Sequence, residues 1–462
     1  MSTTNQSDSC WLLERIRNHG DRPFLHTADA SFTYRDLIAA IDRADAALNR
    51  SDVTGNTVCS LHGDYSLERI AAFLALAIRK SIVVPIAHTT AAETIERLTT
   101  AGVTHRWDGN PTTPPEKTAV NQNTDLDLYS RLRAQGHAGL VLFSSGSTGR
   151  AKAMLHDLDG LIDSHRGRKI RALTLLVFLM FDHIGGLNTL LTAMAAGTTL
   201  VVPEKREPDA VAKLIEKFGV SVLPASPTFL NLLLISGANQ RHNLSRLRII
   251  SYGTEPMPEG LLQRLRQAFP RARFIQTFGT SETGISRTTS QSSDSTLMKL
   301  DDPAIEHRIV KGELWLRSRT QILGYLNHDM DAFTEDGWFR TGDLVEPGEN
   351  GYLRIVGRER EVINVGGEKV LPAEVESILL EIPEIADCLV HGASHPLTGQ
   401  IVVAEITASD PDMERSAMRR LIRRHCKGRI AAYKVPVKIT LVTVTRRNDR
   451  FKKQRLDPTA DA

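Results

Sequence analysis

A dense run of glycines, hydroxyl side chains and one lysine follows the apolar stretch that ends at Phe143. Small residues let backbone amides approach an anion closely, hydroxyls add hydrogen-bond donors, and a lysine supplies positive charge. Glycine and serine also fill ordinary surface turns, but the phosphates of a nucleotide require this chemistry. We therefore predict a phosphate site, with these candidate residues: Ser144, Ser145, Gly146, Ser147, Thr148, Gly149 and Lys152.

The run lacks the spacing of the P-loop that many NTPases use. A P-loop needs two glycines separated by four residues, followed by Lys and then Ser or Thr. Here only two residues separate Gly146 from Gly149, and Ala153 follows Lys152. The sequence therefore predicts a different kind of phosphate site.

Four short motifs follow the run along the chain. They supply a ring that could stack on a base, a hydroxyl for phosphate, and carboxylates for a metal ion or a ribose diol. Taken alone, an acid such as Glu282 is more often a solvated loop residue. The motifs are Tyr252–Pro256, Phe278–Glu282, Thr341–Asp343 and Gly357–Arg358.

Together these motifs resemble those of the adenylate-forming superfamily. That family includes acyl-CoA and aryl-CoA synthetases, peptide-synthetase adenylation domains and firefly-type luciferases. Its phosphate loop reads Ser/Thr-Ser-Gly-Ser/Thr-Thr-Gly-x-Pro-Lys, which residues 144–152 match except that Ala151 replaces proline. The likeness extends from about Phe32 to Arg455, which is nearly the whole chain.

The resemblance implies roles for the nucleotide-binding residues. Phe278 stacks on adenine, Ser281 contacts phosphate and Glu282 holds Mg²⁺. Asp343 accepts hydrogen bonds from the ribose hydroxyls, and Arg358 lies near the ribose and phosphate. The remaining residues assigned to the nucleotide are Gly253, Thr254, Glu255 and Gly279.

The implied reaction has two halves. A carboxylate attacks the α-phosphate of ATP and releases pyrophosphate, and an acceptor thiol, with coenzyme A favoured, then attacks the acyl-adenylate. No protein nucleophile is needed, because Mg²⁺, backbone amides and cations neutralise and align the reacting anions. The predicted cofactors are thus ATP, Mg²⁺ and coenzyme A, and Thr148 and Glu282 are the catalytic candidates of the nucleotide site.

The C-terminus departs from the family pattern. Relatives carry a Gly-Lys-hydrophobic-x-Arg motif, whose lysine bridges the carboxylate and the α-phosphate. One alignment puts Arg450 in the lysine position. Another puts Lys452 there, with Phe451 in place of glycine, Lys453 in the hydrophobic position and Arg455 on the arginine. We favour Lys452 and keep Arg450 and Lys453 as alternatives.

The spacing of apolar residues along the chain predicts the helices and strands that carry these motifs. Helical spacing at Tyr34–Leu48 and Leu67–Ile78 alternates with short aliphatic runs typical of buried parallel strands. Ala210–Phe218 is predicted to be a helix with Asp209 as its N-cap. Past Lys311 the strands become shorter and turn-rich, which indicates a small β-rich unit.

The predicted fold is therefore α/β, with a large N-terminal domain of parallel-rich sheets, a small β-rich subdomain and a mobile α+β lid. The core spans 1–357, the hinge 358–361 and the lid 362–462. Family members rotate this lid between the two half-reactions. The hinge residue is predicted to be Arg360.

The acid pocket is predicted near the segment from Phe181 to Leu187. Phe-Asp resembles the amino-acid-activating branch, whereas His-x-x-Gly-Leu resembles the CoA-ligase branch, so both interpretations stay open. The paired glycines favour a fatty or aromatic acid. Residues 224–228 are predicted to form another wall. The pocket residues are Phe181, Asp182, His183, Gly185 and Gly186.

Composition sets the remaining expectations. The chain has 462 residues and a net charge of +3, which gives no reason to expect a nucleic-acid partner. Its four cysteines stand far apart, as in reducing compartments, and its longest apolar run is about half a membrane span. We expect a cytoplasmic protein without a membrane span, and either a monomer or a homodimer.

Two other functions remain open. The adenylate could pass to an acyl carrier protein or another nucleophile, including after amino-acid activation. Alternatively, the altered lysine motif could mark a relative that binds nucleotide without catalysis.

Overall fold

The computed structural model describes residues 10–118, 127–144, 151–448 and 451–455. These residues form the predicted α/β fold, with two largely parallel sheets, an antiparallel β-rich unit and a C-terminal α+β unit. We call the C-terminal unit the lid and the remainder the large domain.

One seven-stranded sheet of the described chain is parallel except at its edge, where the last two strands form an antiparallel pair. Its inner strands are short aliphatic runs buried on both faces, which is typical of parallel sheets covered by helices. In spatial order the strands are β13 (Arg273–Gln276), β12 (Ile249–Tyr252), β11 (Val222–Ala225), β9 (Thr174–Leu176), β10 (Thr199–Val201), β1 (Pro23–His26) and β2 (Ser31–Thr33).

The second seven-stranded sheet carries the start and end of the glycine-rich run. Its central strands are parallel, and antiparallel strands extend both of its edges. In spatial order the strands are β20 (Gly324–Tyr325), β8 (Lys152–Asp157), β7 (Gly139–Ser144), β4 (Ile82–Ile86), β3 (Val58–His62), β5 (His105–Trp107) and β6 (Glu116–Lys117).

Helices cover both sheets, and most begin at a hydrogen-bonding cap. Thr33 and Asp36 form a reciprocal capping box, which satisfies backbone amides that a helix start leaves free. The large-domain helices are α1 (Cys10–His19), α2 (Tyr34–Leu48), α3 (Leu67–Ile78), α4 (Ala91–Thr100), α5 (Asp127–Ala134), α6 (Leu158–Asp163), α7 (Ile184–Ala196), α8 (Pro208–Phe218), α9 (Pro227–Ile235), α10 (Ala238–Arg241) and α11 (Glu259–Ala268).

The β-rich unit is an antiparallel sheet with a separate hairpin. Its spatial order is β16 (Thr288–Ser290), β17 (Met298–Leu300), β22 (Leu353–Arg358), β21 (Phe339–Pro347), β19 (Glu313–Ser318) and β18 (Ile305–Val310), and the hairpin pairs β14 (Phe278–Thr280) with β15 (Gly284–Ser286). A short 3-10 helix, Glu349–Gly351, joins β21 to β22. This sheet brings the Thr341–Asp343 and Gly357–Arg358 motifs onto neighbouring strands.

The lid begins after a second 3-10 helix, Glu359–Glu361. Its sheet has the order β24 (Glu368–Val370), β23 (Ile363–Val365), β26 (Gly399–Ala408) and β25 (Ile385–His395). A fifth strand, β27 (Lys438–Leu441), pairs in parallel with β26. Two helices, α12 (Pro372–Leu379) and α13 (Arg415–Cys426), and a 3-10 helix, Ala432–Lys434, complete it.

The large domain and the lid share a hydrophobic core. Leu261 of α11 and Leu379 of α12 are both buried in one continuous apolar cluster. Gly260 permits the approach, because a β-carbon there would lie 3.2 Å from the backbone carbonyl of Leu380. This packing holds helix α12 of the lid against the large domain.

No helix among the described residues has both the length and the apolar character that crossing a membrane would require.

Candidate functional site

The glycine-rich run lies between two paired strands of the second sheet. Ser144 ends β7 and pairs directly with Lys152, which begins β8. Residues 145–150 lie outside the described residues, and with them the predicted ligands Ser145, Gly146, Ser147, Thr148 and Gly149. The two ends of the run are therefore held together by strand pairing.

A lysine, a tyrosine and a carboxylate form a chain beside this run. The ammonium of Lys152 lies 5.3 Å from the centre of the Tyr325 ring, and the Tyr325 hydroxyl donates a hydrogen bond to Glu282 Oε1 at 3.1 Å. Burial of the ring, together with the nearby Glu282 charge, raises the pKa of Tyr325, which therefore remains a neutral donor. These contacts place the lysine that is predicted to bind phosphate and the candidate metal-binding acid in the same region.

Tyr325 was not predicted from the sequence. It reaches Glu282 and Lys152 because β20 pairs with β8, Tyr325 lying opposite Met154. No local spacing in the sequence indicates that pairing.

The residues fit Mg²⁺ held jointly by the protein and a nucleotide. Among the described ranges, no group of three or more His, Cys, Asp or Glu side chains is gathered for a metal ion. Mg²⁺ typically takes only one or two protein carboxylates and completes its shell with water and substrate phosphates. Glu282 can supply that carboxylate.

The adenine-motif residues lie at a tight hairpin. Phe278 begins β14 and is half-buried against the β-rich core, while Ser281 and Glu282 lie in the turn before β15. A side chain at Gly279 would meet the backbone oxygen of Gly284 at 2.6 Å. Glycine is therefore required for the hairpin to close and present the phenyl ring.

The Gly253 turn is strained and closely packed. A β-carbon on Gly253 would lie 2.6 Å from the carbonyl oxygen of Thr277, and Thr254 has a φ of +74°. Such a φ is uncommon outside glycine, and strained backbone of this kind concentrates at ligand sites.

Glu255 in the same motif contacts protein amides. Its carboxylate accepts hydrogen bonds from the backbone amides of Thr228, at 2.8 Å, and Lys453, at 3.4 Å. Desolvation raises the pKa of Glu255 despite these donors. The structure thus connects this predicted nucleotide residue to the α9 N-terminus and to the end of the chain.

Asp343 and Arg358 form an ion pair across β21 and β22. The two residues are register partners, and Arg358 Nε lies 3.0 Å from Asp343 Oδ1. Thr341 orients the segment, because its hydroxyl accepts the Asp343 amide proton and donates to Leu314. Burial raises the pKa of Asp343, an effect that Arg358 only partly offsets. A buried carboxylate with one paired oxygen can still accept hydrogen bonds from a diol.

The two candidate lysines at the C-terminus have different surroundings. Lys453 points into the lid, where its ammonium donates to the Cys388 carbonyl at 2.6 Å and lies 3.1 Å from Glu376. Burial opposes its charge, but Glu376 and Asp387 raise the pKa of Lys453 overall. Lys452 is half-buried, its backbone amide donates to the Asn448 side-chain oxygen at 3.0 Å, and its charge acts on the pKa of Asp343 less strongly than that of Arg358. Arg450 is outside the described residues.

The predicted hinge residue is exposed. Arg360 occupies the middle of the 3-10 helix Glu359–Glu361. Glu361 pairs with Arg455 at 2.9 Å, so the end of the chain is bound to the segment that joins the two units.

The predicted acid-pocket residues lie at the junction that leads into α7. Phe181 is fully buried against the rings of Tyr65 and Phe73, and Asp182 is buried with Arg97 at 3.5 Å. In this geometry both side chains face the protein interior.

The rest of the junction is equally compact. The imidazole of His183 accepts a hydrogen bond from the amide of Gly185 at 3.0 Å and caps α7. A β-carbon on Gly186 would lie 2.2 Å from the carbonyl of Met180. The paired glycines thus permit tight packing at the helix start, and His183 is half-exposed at its edge.

Sequence comparisons match two families along the chain. Residues 100–326 match the family described as AMP-binding enzyme, and residues 374–452 match the AMP-binding enzyme C-terminal domain. The chain is 31% identical to an indoleacetate–CoA ligase of Aromatoleum aromaticum over 66% of this chain and 63% of the relative. It is 28% identical to a 2-succinylbenzoate–CoA ligase of Bacillus licheniformis over 69% of both chains. The chain spans about half to two thirds of the length of most of these curated relatives.

Solved structures share the fold. An anthranilate CoA ligase in complex with anthranoyl-AMP aligns with a TM-score of 0.81 and 20% identity, covering 97% of this chain and 95% of that one. ATP-bound MatB from Rhodopseudomonas palustris aligns with a TM-score of 0.78 and 20% identity, covering 98% of both chains. At these identities the likeness concerns the fold alone.

Proposed function

The chain belongs to the adenylate-forming superfamily of AMP-binding enzymes, and from that membership we propose that it activates a carboxylic acid with ATP. The acid becomes an acyl-adenylate, pyrophosphate leaves, and the acyl group passes to the thiol of coenzyme A. The product would be an acyl-CoA thioester and AMP.

The observation that carries the proposal is that the segment 451–455, which includes Lys452, lies against the large domain. Arg455 of this segment pairs with Glu361, three residues from Arg358 of the Asp343–Arg358 ion pair. An acid for the ribose and a cation from the lid are the groups that adenylate formation would use. Glu282, Tyr325 and Lys152 extend the same site toward the phosphates.

Each part of the site has a task in the first half-reaction. Asp343 accepts the ribose hydroxyls and fixes the nucleotide, and Lys152 balances phosphate charge at the end of the glycine-rich run. Lys452 stabilises the negative charge that builds as the acid meets the α-phosphate, an electrostatic contribution that is usually large in such sites. Glu282 would hold Mg²⁺, which supplies further charge neutralisation.

We propose a fatty or aromatic acid as the substrate. The names of relatives support the aromatic choice, since one is an indoleacetate–CoA ligase and another a 2-succinylbenzoate–CoA ligase. Asp182 argues against an amino acid, because its carboxylate is buried beside Arg97 rather than open to a substrate amine. An acyl carrier protein is the alternative acceptor.

The test is a pyrophosphate-release screen of the purified chain. ATP and Mg²⁺ are supplied with a panel of fatty, aromatic and amino acids, with and without coenzyme A. We expect release with a fatty or aromatic acid, and a thioester only when coenzyme A is present. Release without any thioester would favour another acceptor, and nucleotide binding without release from any acid would overturn catalysis.

A further inference from the structure

The residue before Lys452 departs from the family pattern in a way that the backbone makes informative. In the alignment that we favour, Phe451 stands where relatives carry glycine, and its φ is +53°. Glycine adopts this left-handed conformation at little cost, whereas a bulky aromatic residue rarely does. The chain therefore keeps a large ring at a position whose backbone favours glycine.

Hydrogen bonds hold this conformation around the lysine. The Phe451 amide donates to the carbonyl of Asn448 at 3.0 Å, and the Lys452 amide donates to the Asn448 side-chain oxygen at 3.0 Å. Arg447 and Lys453 pair as an antiparallel bridge. We call residues 451–455 the strap.

The ring of Phe451 inserts into the large domain. Its centre lies 5.5 Å from the Phe178 ring and 5.3 Å from the Phe229 ring, the latter in an edge-on arrangement. Such tilted and edge-on contacts are the favourable ones for aromatic pairs. The hydroxyl of Ser226, which caps α9, donates to the Phe451 carbonyl at 2.8 Å.

Neighbouring strap side chains point the other way. Lys453 and Arg455 both pair with Glu376, a buried residue of the lid. The strap is thus fixed to the lid by charge, while Phe451 reaches across to the large domain. Lys452 lies between these two attachments.

We propose that Phe451 is a positioning residue, whose ring docks against the contacting rings of Phe178 and Phe229 and thereby holds Lys452 at the boundary between the lid and the large domain. The inference rests on the proposed function and deepens it. Because the ring can occupy this pocket only while the strap lies against the large domain, Phe451 serves adenylate formation and not the transfer to the thiol.

The experiment compares Phe451→Gly, Phe451→Ala and Phe451→Leu. Glycine removes the ring and relieves the positive φ but adds backbone freedom, whereas alanine removes the ring without adding that freedom, so a loss shared by both variants reports the ring. We expect Gly and Ala to slow single-turnover adenylation by about tenfold or more, and Leu to recover part of the loss. Thioester formation from preformed adenylate should stay within about twofold of the unmodified chain.

Tyr433→Ala is the matched control, because it removes a half-buried lid aromatic outside the strap. It should leave the ratio of the two half-reactions unchanged. The proposal would be overturned if Phe451→Gly formed the adenylate as fast as the unmodified chain does. An equal loss of rate in both half-reactions would also overturn it.

Hydrogen exchange separates this proposal from the proposed function. Exchange at the Lys452 and Lys453 amides should quicken in Phe451→Ala and not in Tyr433→Ala, whether or not any acid is a substrate. Unchanged exchange in Phe451→Ala would refute the anchor even in an active enzyme. An unmodified chain that activates no acid would refute the function alone.

Discussion

Two buried carboxylates, Asp343 at the proposed nucleotide site and Glu376 in the lid, have opposite electrostatic surroundings. Asp343 has one cationic neighbour in direct contact, and burial raises its pKa. For Glu376, burial works the same way, but Arg455, Lys453 and the Val390 amide together lower its pKa. Glu376 is compensated by charged and amide donors of the lid, whereas Arg358 compensates the burial of Asp343 only in part.

The difference indicates that Glu376 stabilises the fold, whereas Asp343 is suited to binding a ligand. Buried ion pairs with complete hydrogen bonding fix geometry, and breaking one partner is costly. A buried acid with incomplete pairing is typical of a binding or catalytic site. Lys453 belongs to the structural group, because the lid acids Glu376 and Asp387 enclose it.

Removing the compensated acid should have the largest effect. Glu376→Ala leaves Lys453 and Arg455 buried without their carboxylate, so we expect a loss of about 3–5 kcal/mol in the free energy of unfolding. Chemical denaturation measures it. Glu374→Ala is the control on the same helix, since that acid is partly exposed in its pair with Lys434 and should cost about 1 kcal/mol or less. If Glu376→Ala and Glu374→Ala lost similar free energies of unfolding, the structural role assigned to Glu376 would be wrong.

Glu376 should also make the stability of the lid sensitive to low pH. The folded pKa of Glu376 lies below its ordinary value of 4.5, so its stabilising contribution is complete above that value. It should be lost as the pH falls through the lower, folded pKa.

Lys452→Ala should affect chemistry and leave stability intact. Loss of a preorganised cation at the α-phosphate should slow adenylation by about a hundredfold, with thioester formation from preformed adenylate little changed. Single-turnover assays of each half-reaction decide it. Lys427→Ala, an exposed lid lysine, is the control. If Lys453→Ala instead gave the selective loss with a normal melting temperature, our choice of lysine would be wrong.

The smallest effect is expected from replacing Asp343, the less compensated of the two acids. Asp343→Asn keeps the shape and loses the charge, so ATP should bind about tenfold more weakly, as calorimetry can measure. In the unmodified chain, affinity should fall on acidification before an ordinary aspartate of pKa 3.8 would protonate, because burial raises the pKa of Asp343. The asparagine variant should lack that pH dependence; equal pH profiles would contradict the role.

Local patterns predicted much of the fold. Tyr34–Leu48 and Leu67–Ile78 are helices with those bounds, because apolar spacing and hydroxyl caps act within one turn. The start of α8 was predicted incorrectly. Glu207 is at the N-cap position and Pro208 begins the helix, while Asp209 pairs with Arg241.

Contacts between distant segments could not be predicted from spacing. Tyr325 meets Glu282 only through strand pairing, and the Glu255 carboxylate accepts amides from Thr228 and Lys453, which are distant from it in the sequence. The motif order predicts which residues share a site, but it does not predict which neighbour each side chain faces.

The ion pair of Asp343 and Arg358 lies one residue before the 3-10 helix that leads into the lid. A ribose bound at the other oxygen of Asp343 would share this carboxylate with Arg358. Under the proposed function, nucleotide binding would therefore act on the residue that directly precedes this 3-10 helix. Occupancy of the proposed site would reach the attachment point of the C-terminal unit through a single ion pair.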